Sequence, residues 1–174
     1  MSGYRRAMVL VGLLVLCLVQ VTVFNRSAGS WLSFNAVIIA LALLTIMSDR
    51  FSLIFLVITS GVIFDLHSNL PFGIYLVSGI VTVLAASWLF EYFLTNRSLY
   101  SFVVLTIIAT LIYHLVFAGL TFGAYEFGWS GYRLGWDYIT YIVGQIGLHV
   151  VIALGVFWVV NRFTVIFKPT YLHS

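Results

Sequence analysis

Polar side chains that can do chemistry are few in this sequence, and the first group lies in the stretch GVIFDLHSNLPFG, residues 61–73. The carboxylate of Asp65 is followed by His67 and Asn69 within a chain that is otherwise almost unbroken hydrocarbon. Asp65 and His67 are two residues apart, which suits a turn better than an acid–base pair on one helical face. No nucleophile–base pair, glycine-rich phosphate loop or close carboxylate pair occurs in the sequence. We therefore predict no catalytic residues.

The second group comprises His114, Gln145 and His149. Gln145 and His149 are four residues apart and share a helical face, and His114 lies midway along the preceding apolar run. A metal site needs three or four ligands with supporting hydrogen bonds, more than two imidazoles and an amide supply. We predict interhelical hydrogen bonds here, with no metal or cofactor. Small residues that permit close helix approach lie in the same segment: Gly144, Gly147 and Gly155.

Composition decides the class of protein. The 174 residues are 63% hydrophobic and 7% charged, and the mean hydropathy is +1.14. A soluble domain carries about 25% charged residues to cover its surface, so this chain is predicted to be an integral membrane protein. Its net charge of +3 is small and scattered, which argues against a nucleic-acid partner. The single cysteine, Cys17, excludes an internal disulfide and is interpreted as an apolar packing residue.

Six apolar runs predict a single domain, residues 1–174, that is an all-α bundle of six transmembrane helices. The second and third runs have 14 residues each, about 21 Å of helix, less than the roughly 30 Å of a bilayer's hydrocarbon core. Trp31 and Leu32 can lengthen the second. The first run resembles a signal peptide, but its length and poor cleavage site favour an uncleaved helix. The runs are Ala7–Phe24, Phe34–Met47, Phe51–Phe64, Phe72–Leu94, Ser98–Phe122 and Tyr138–Phe163.

The distribution of basic residues predicts cytoplasmic termini. Six of the eight lysines and arginines lie on the side of the N-terminus if every run crosses the membrane, and cytoplasmic loops carry the excess of such residues. The inner set is Arg5, Arg6, Arg50, Arg97, Arg162 and Lys168, and the outer set is Arg26 and Arg133. Glu91, near the inner end of the fourth run, is expected to snorkel or to pair with Arg97. The outer segment Gly123–Asp137 carries five aromatic residues, which predicts that it lies at the headgroup level.

Two interpretations of Asp65 remain open. Gly61 is four residues earlier on the same helical face, and this leaves a groove where another helix can approach. Pro71 is expected to start the fourth helix, where its missing N–H is harmless. Because the third run is short, the polar turn is predicted to lie below the outer membrane surface, with Asp65 accepting hydrogen bonds from the turn amides. The alternative makes Asp65 a point where a partner or ligand engages.

The pattern Gly61-xxx-Asp65, a short polar stretch, Pro71 and Gly73 resembles the signature of the MreD family of rod-shape-determining membrane proteins. The chain length, the short second and third helices and the basic N-terminus are similar too. The resemblance implies a non-enzymatic subunit of the bacterial cell-elongation machinery in the cytoplasmic membrane. The implied partners in peptidoglycan synthesis are an MreC-like coiled-coil protein, a RodA-like glycosyltransferase, a class B penicillin-binding protein and the actin-like MreB.

The MreD fold is similar to the substrate-binding S component of energy-coupling-factor vitamin transporters, and this similarity supplies the alternative function. An S component needs polar and aromatic side chains that converge on a pocket near the outer face. Asp65, His67, Asn69 and the segment 123–137 are the residues that would line it. An Ala-xxx-Ala face for the energising partner occurs at Ala36 and Ala40, in the second helix rather than the first, which counts against this alternative.

Overall fold

The computed structural model describes residues 3–24, 34–47, 50–94, 98–132 and 135–163. Within these ranges the chain forms helices and no strand. A π-helical segment, Gln20–Phe24, continues the first helix. The α-helices are α1 (Gly3–Val19), α2 (Ala36–Met47), α3 (Arg50–His67), α4 (Ile74–Tyr92), α5 (Leu99–Glu126) and α6 (Asp137–Phe163).

Four of these helices are long and apolar enough to cross a membrane: α3, α4, α5 and the part of α6 up to Val159. Residues 10–22 and α2 form shorter apolar helices. Large apolar side chains such as Leu84, Leu115 and Val151 are exposed on the outside of the bundle, where a soluble protein would place charge. The chain is therefore a multi-pass membrane protein.

Helix α2 lies at the centre of the bundle. Its 12 residues span about 18 Å, and eight of them are buried on all sides of the helix. A helix that is apolar all round is stable only when neighbours surround it, and α2 contacts α1, α3, α4 and α5. Asn35 begins the helix, because its Oδ1 accepts the N–H of Val37 at 3.1 Å. The short second helix predicted from the sequence is present.

The prediction that the third helix is short is wrong. α3 has 18 residues, about 27 Å, because Asp65, Leu66 and His67 remain helical rather than forming a turn. The ring Nδ1 of His67 lies 2.8 Å from the carbonyl oxygen of Ile63, one helical turn back, so the polar side chain is compatible with the helix. This length also removes the reason for a turn sunk below the membrane surface.

The fourth helix also begins later than predicted. Pro71 lies in the connection, and α4 starts at Ile74 with Gly73 as its N-cap. Gly73 has φ +103°, a left-handed conformation that glycine adopts without steric cost. The turn at residues 71–73 therefore needs Gly73, whereas Pro71 is not the first helical residue.

The outer loop is shorter than the predicted Gly123–Asp137. α5 continues to Glu126, and α6 begins at Asp137. The chain leaves α5 through a Schellman-type turn, in which the N–H of Trp129 donates to the carbonyl of Ala124 at 2.8 Å and Gly128 has φ +71°. The chain therefore turns sharply directly after α5.

Candidate functional site

Asp65 caps the beginning of α4. Its side chain is 4% exposed, its Oδ1 accepts the N–H of Tyr75 at 2.9 Å and its Oδ2 accepts the N–H of Leu76 at 3.2 Å. The first amides of a helix have no partner within the helix, and the N-cap Gly73 has no side chain to supply one. A carboxylate is also favoured by the positive end of the helix dipole. Asp65 thus satisfies from α3 the amides that α4 leaves open.

From the sequence we expected Asp65 to bind the amides of the polar turn. It binds the amides of Tyr75 and Leu76 in α4 instead. Within the turn, Ser68 donates its backbone N–H to the carbonyl of Asp65 at 3.3 Å and its hydroxyl to the same oxygen at 3.1 Å. The N–H of Leu70 then donates to Ser68 Oγ at 3.4 Å. Ser68 therefore organises the turn; His67, the last residue of α3, and Asn69, in the turn, are both exposed.

Gly61 allows α4 to approach α3 at the residue that Asp65 holds. A Cβ on Gly61 would lie 2.6 Å from Leu76 Cα, closer than real Cβ contacts, and a tight 3.1 Å from Leu76 Cβ. A Cβ placed on Gly79, in the same helix pair, would have its closest contact with Val57 Cγ1 at 3.4 Å, which is an ordinary van der Waals distance. We call Gly61, Asp65, Tyr75 and Leu76 the α3–α4 clamp.

Aromatic rings support the clamp from the side of α5. The Tyr75 ring lies edge-on to Phe64 with centroids 5.8 Å apart, and its centroid is 5.0 Å from that of Phe117. Such pairs contribute about 0.5–1.5 kcal/mol beyond the area they bury. Tyr75, which donates its backbone N–H to Asp65, is thus packed against α3 on one side and against α5 on the other.

His114, Gln145 and His149 are buried and their hydrogen bonds join helices, but those of His149 go to residues other than His114 and Gln145. His114 Nε2 contacts Gln145 Oε1, and His114 Nδ1 lies 2.8 Å from the hydroxyl oxygen of Tyr138. Since the amide oxygen accepts, Nε2 carries the proton and the Tyr138 hydroxyl donates to Nδ1. One imidazole of α5 therefore binds two residues of α6 that are two helical turns apart.

His149 binds a different set of residues. The backbone N–H of Asn35 donates to His149 Nε2 at 3.2 Å, so the ring proton lies on Nδ1 and is donated to Thr110 Oγ1 at 2.9 Å. The hydroxyl of Thr110 in turn donates to the carbonyl of Thr106 at 2.8 Å. We call the contacts of Tyr138, Gln145 and His149 with α5 and α2 the α6 polar seam.

The polar residues of this interior that were not singled out from the sequence include Gln20, Asn35, Thr110 and Tyr138. Gln20 lies in the π-helical segment, where its Oε1 accepts the N–H of Ala36 at 2.9 Å and its amide donates to the carbonyl of Phe34. Gln20 is the one amide side chain inside the first apolar run, and that isolation was a usable signal. The hydroxyls of Thr110 and Tyr138 gave no such signal, because threonine and tyrosine are common in membrane helices.

The sequence also drew attention to Glu91 and to the aromatic residues between α5 and α6. Glu91 pairs with Arg50, whose Nη2 is 3.1 Å from Glu91 Oε1; the other partner expected from the sequence, Arg97, lies outside the described residues. Among the described residues no three His, Cys, Asp or Glu side chains could together hold a metal ion. Aromatic side chains between α5 and α6 are exposed, namely Phe127, Trp129, Tyr132 and Trp136.

No protein-family model, curated protein or solved structure matches this chain. The sites themselves therefore have to indicate what the protein does. Both the α3–α4 clamp and the α6 polar seam join helices of the same chain. In the α6 polar seam the hydroxyls of Thr110 and Tyr138 bond to imidazoles, and in the clamp both carboxylate oxygens of Asp65 are used within the protein.

Proposed function

We propose that this chain is a non-enzymatic scaffold subunit of the bacterial cell-elongation machinery, similar to MreD. In this role it lies in the cytoplasmic membrane and holds other membrane proteins together for peptidoglycan synthesis. The proposed partners are an MreC-like coiled-coil protein, a RodA-like glycosyltransferase, a class B penicillin-binding protein and MreB. The motif behind the family resemblance, Gly61-xxx-Asp65, supports a structural role because it positions α4 against α3.

The observation that carries the scaffold proposal is the open face of α6. Only 17% of its spanning window is buried, against 33–39% for α3, α4 and α5. Beyond the adjoining backbone of α6 itself, no atom lies within 4 Å of where a Cβ would stand on Gly147 or Gly155. The close approach expected of these glycines is thus not made within the described part of this chain.

An apolar groove of about 430 Å³ lies beside Gly155, lined also by Ile152, Val156 and Val159. Small residues on a lipid-facing helix favour contact with another transmembrane helix.

The proposed topology has six crossings and cytoplasmic termini. The six-to-two division of the basic residues supports it, and so does the length of α5, whose 28 residues span about 42 Å. That length matches a bilayer including its headgroups, about 40–45 Å, which supports an aromatic loop at the outer interface. In a Cys17→Ala background, an impermeant thiol reagent should label a cysteine at Ser130 from outside. Labelling at Ser174 from outside would overturn this topology; Ser174 itself lies outside the described residues.

The cavity beneath the clamp favours the scaffold over a vitamin-binding S component. The residues around it include Asn35, Tyr75 and Tyr113, and its volume is about 10 Å³, whereas small-molecule sites enclose about 300–1,000 Å³. The residues expected to line a ligand pocket also diverge. Asp65 is buried in the clamp, while His67 and Asn69 are exposed.

Photocrosslinking in the native membrane tests the scaffold proposal. A photoreactive residue at Val151, which is 65% exposed between Gly147 and Gly155 on α6, should crosslink to the MreC-like or RodA-like protein. Leu84 of α4, which is 66% exposed, is the matched control and should give lipid adducts only. A scan of exposed positions on α3 to α6 that yields no crosslink to any elongation protein would refute the function. High-affinity binding of a vitamin by the purified chain would replace it with the S-component alternative.

A further inference from the structure

The apolar surface of α6 does not specify which side faces the bundle. Large apolar residues occur on its exposed side, such as Val143, Val151 and Leu154, and others that are partly buried pack against the core, namely Ile152, Val156 and Phe157. Lipid tails are as apolar as leucine, so a bilayer gives no hydrophobic reason to bury one of these faces rather than another. Something other than hydrophobic patterning must fix the rotation of α6 about its own axis.

The buried face of α6 is narrow, and most of its fully buried side chains are polar. Among its described side chains, those that are fully buried are Gln145, His149 and Ala153, which are four residues apart and form one line along the helix. Gln145 meets His114 on α5. His149 meets Thr110 on α5 and the backbone N–H of Asn35 at the start of α2. The contact line therefore carries directional bonds to two different helices.

From these contacts we infer that the α6 polar seam sets the rotational register and the depth of α6. A shift of one residue turns a helix by 100° and moves it by 1.5 Å, which would withdraw Gln145 and His149 from their partners together. Polar groups left without partners in a bilayer are heavily penalised, so every other register is disfavoured. The two bonds of His114, to Tyr138 and Gln145, fix the rotation over two turns, and the bond from Asn35 fixes the depth.

A nitroxide scan of α6 in lipid vesicles tests this inference without any partner. In a Cys17→Ala background, cysteines from Val150 to Phe157 are labelled one at a time, and collision with dissolved oxygen is measured. The native chain should show high accessibility at Val151 and a minimum at Ala153, in line with their exposure. The triple variant His114→Phe/Gln145→Leu/His149→Leu should lose this helical periodicity of oxygen accessibility. All its replacements are compatible with lipid, so no residue then favours one rotation of α6 over another.

The control variant is Thr82→Val, which removes a buried hydroxyl that bonds only within α4, to Ser78. It should keep the native period. A triple variant that keeps both the maximum at Val151 and the minimum at Ala153 would overturn the inference. If the triple variant is not recovered, Gln145→Leu alone is scanned, and an undiminished contrast there would overturn it equally. The result does not depend on whether α6 binds a partner, so it is separable from the scaffold proposal.

Discussion

Substitutions at Asp65 should give a graded loss of stability set by how many acceptor oxygens remain. Asp65→Leu leaves the amides of Tyr75 and Leu76 without partners. An unsatisfied buried amide costs about 1–3 kcal/mol, so the pair amounts to about 2–6 kcal/mol. Asp65→Asn keeps one acceptor but presents an NH₂ group to the other amide. We therefore expect Asn to lose about 1–3 kcal/mol, roughly half of the effect of Leu.

The measurement is the apparent free energy of unfolding in mixed detergent micelles, together with the yield in the membrane. Gly61→Ala should be destabilising in the same assay, because its Cβ would meet the backbone of Leu76 at 2.6 Å and the helices must separate. Gly79→Ala is the matched control in the same helix pair. Its Cβ meets only Val57 at 3.4 Å, and replacing glycine within a helix can stabilise it by up to about 1 kcal/mol.

Two results would refute this reasoning. Equal stability of Gly61→Ala and Gly79→Ala would show that close packing at Leu76 is not what requires glycine. Equal loss of partner co-purification in Asp65→Asn and Asp65→Leu, at unchanged yield and stability, would show that the charge itself binds a partner. The second result would make Asp65 a docking residue, the alternative that the sequence left open.

Three further predictions concern separate parts of the chain. Gly73→Ala forces a Cβ into a left-handed conformation, φ +103°, and should lower the free energy of unfolding by about 1–2 kcal/mol, whereas Gly12→Ala, in open space on α1, should not. Glu91→Gln should change stability by at most about 1 kcal/mol, because both partners of its ion pair with Arg50 are exposed; a larger loss would contradict this. With the other tryptophans replaced by phenylalanine, Trp129 fluorescence should be quenched more by lipids brominated near the headgroup than by lipids brominated near the chain end, and the opposite order would contradict an interfacial loop.

Much of the helical layout follows from hydropathy alone. The apolar runs coincide with the described helices to within a few residues, except where polar residues continue a helix. The third helix was predicted too short because Asp65 and His67 looked like turn residues. Their hydrogen bonds run to α4 and to the preceding turn of α3, so they leave the helical backbone intact. The end of a run of apolar residues therefore need not be the end of the helix.

The sites were predictable in part, for a related reason. Helical spacing placed Gly61 and Asp65 on one face, and it placed Gln145 and His149 on another. Spacing does not say which residue lies opposite, so the clamp's contact with Leu76 required the structure. The same limit explains why His149 was grouped with His114, although its hydrogen bonds go to Thr110 and Asn35.

The clamp also limits how Asp65 can affect any partner. Both carboxylate oxygens are bonded within the chain and the side chain is nearly buried, so a partner does not meet the charge directly. What the clamp controls is the position of the N-terminal end of α4, and with it the Tyr75 ring that packs against α5. α5 in turn carries His114 and Thr110, which hold α6. A chain of contacts thus runs from the motif to the exposed face of α6, and Asp65 variants that weaken partner binding should do so through displacement of these helices, in proportion to their loss of stability.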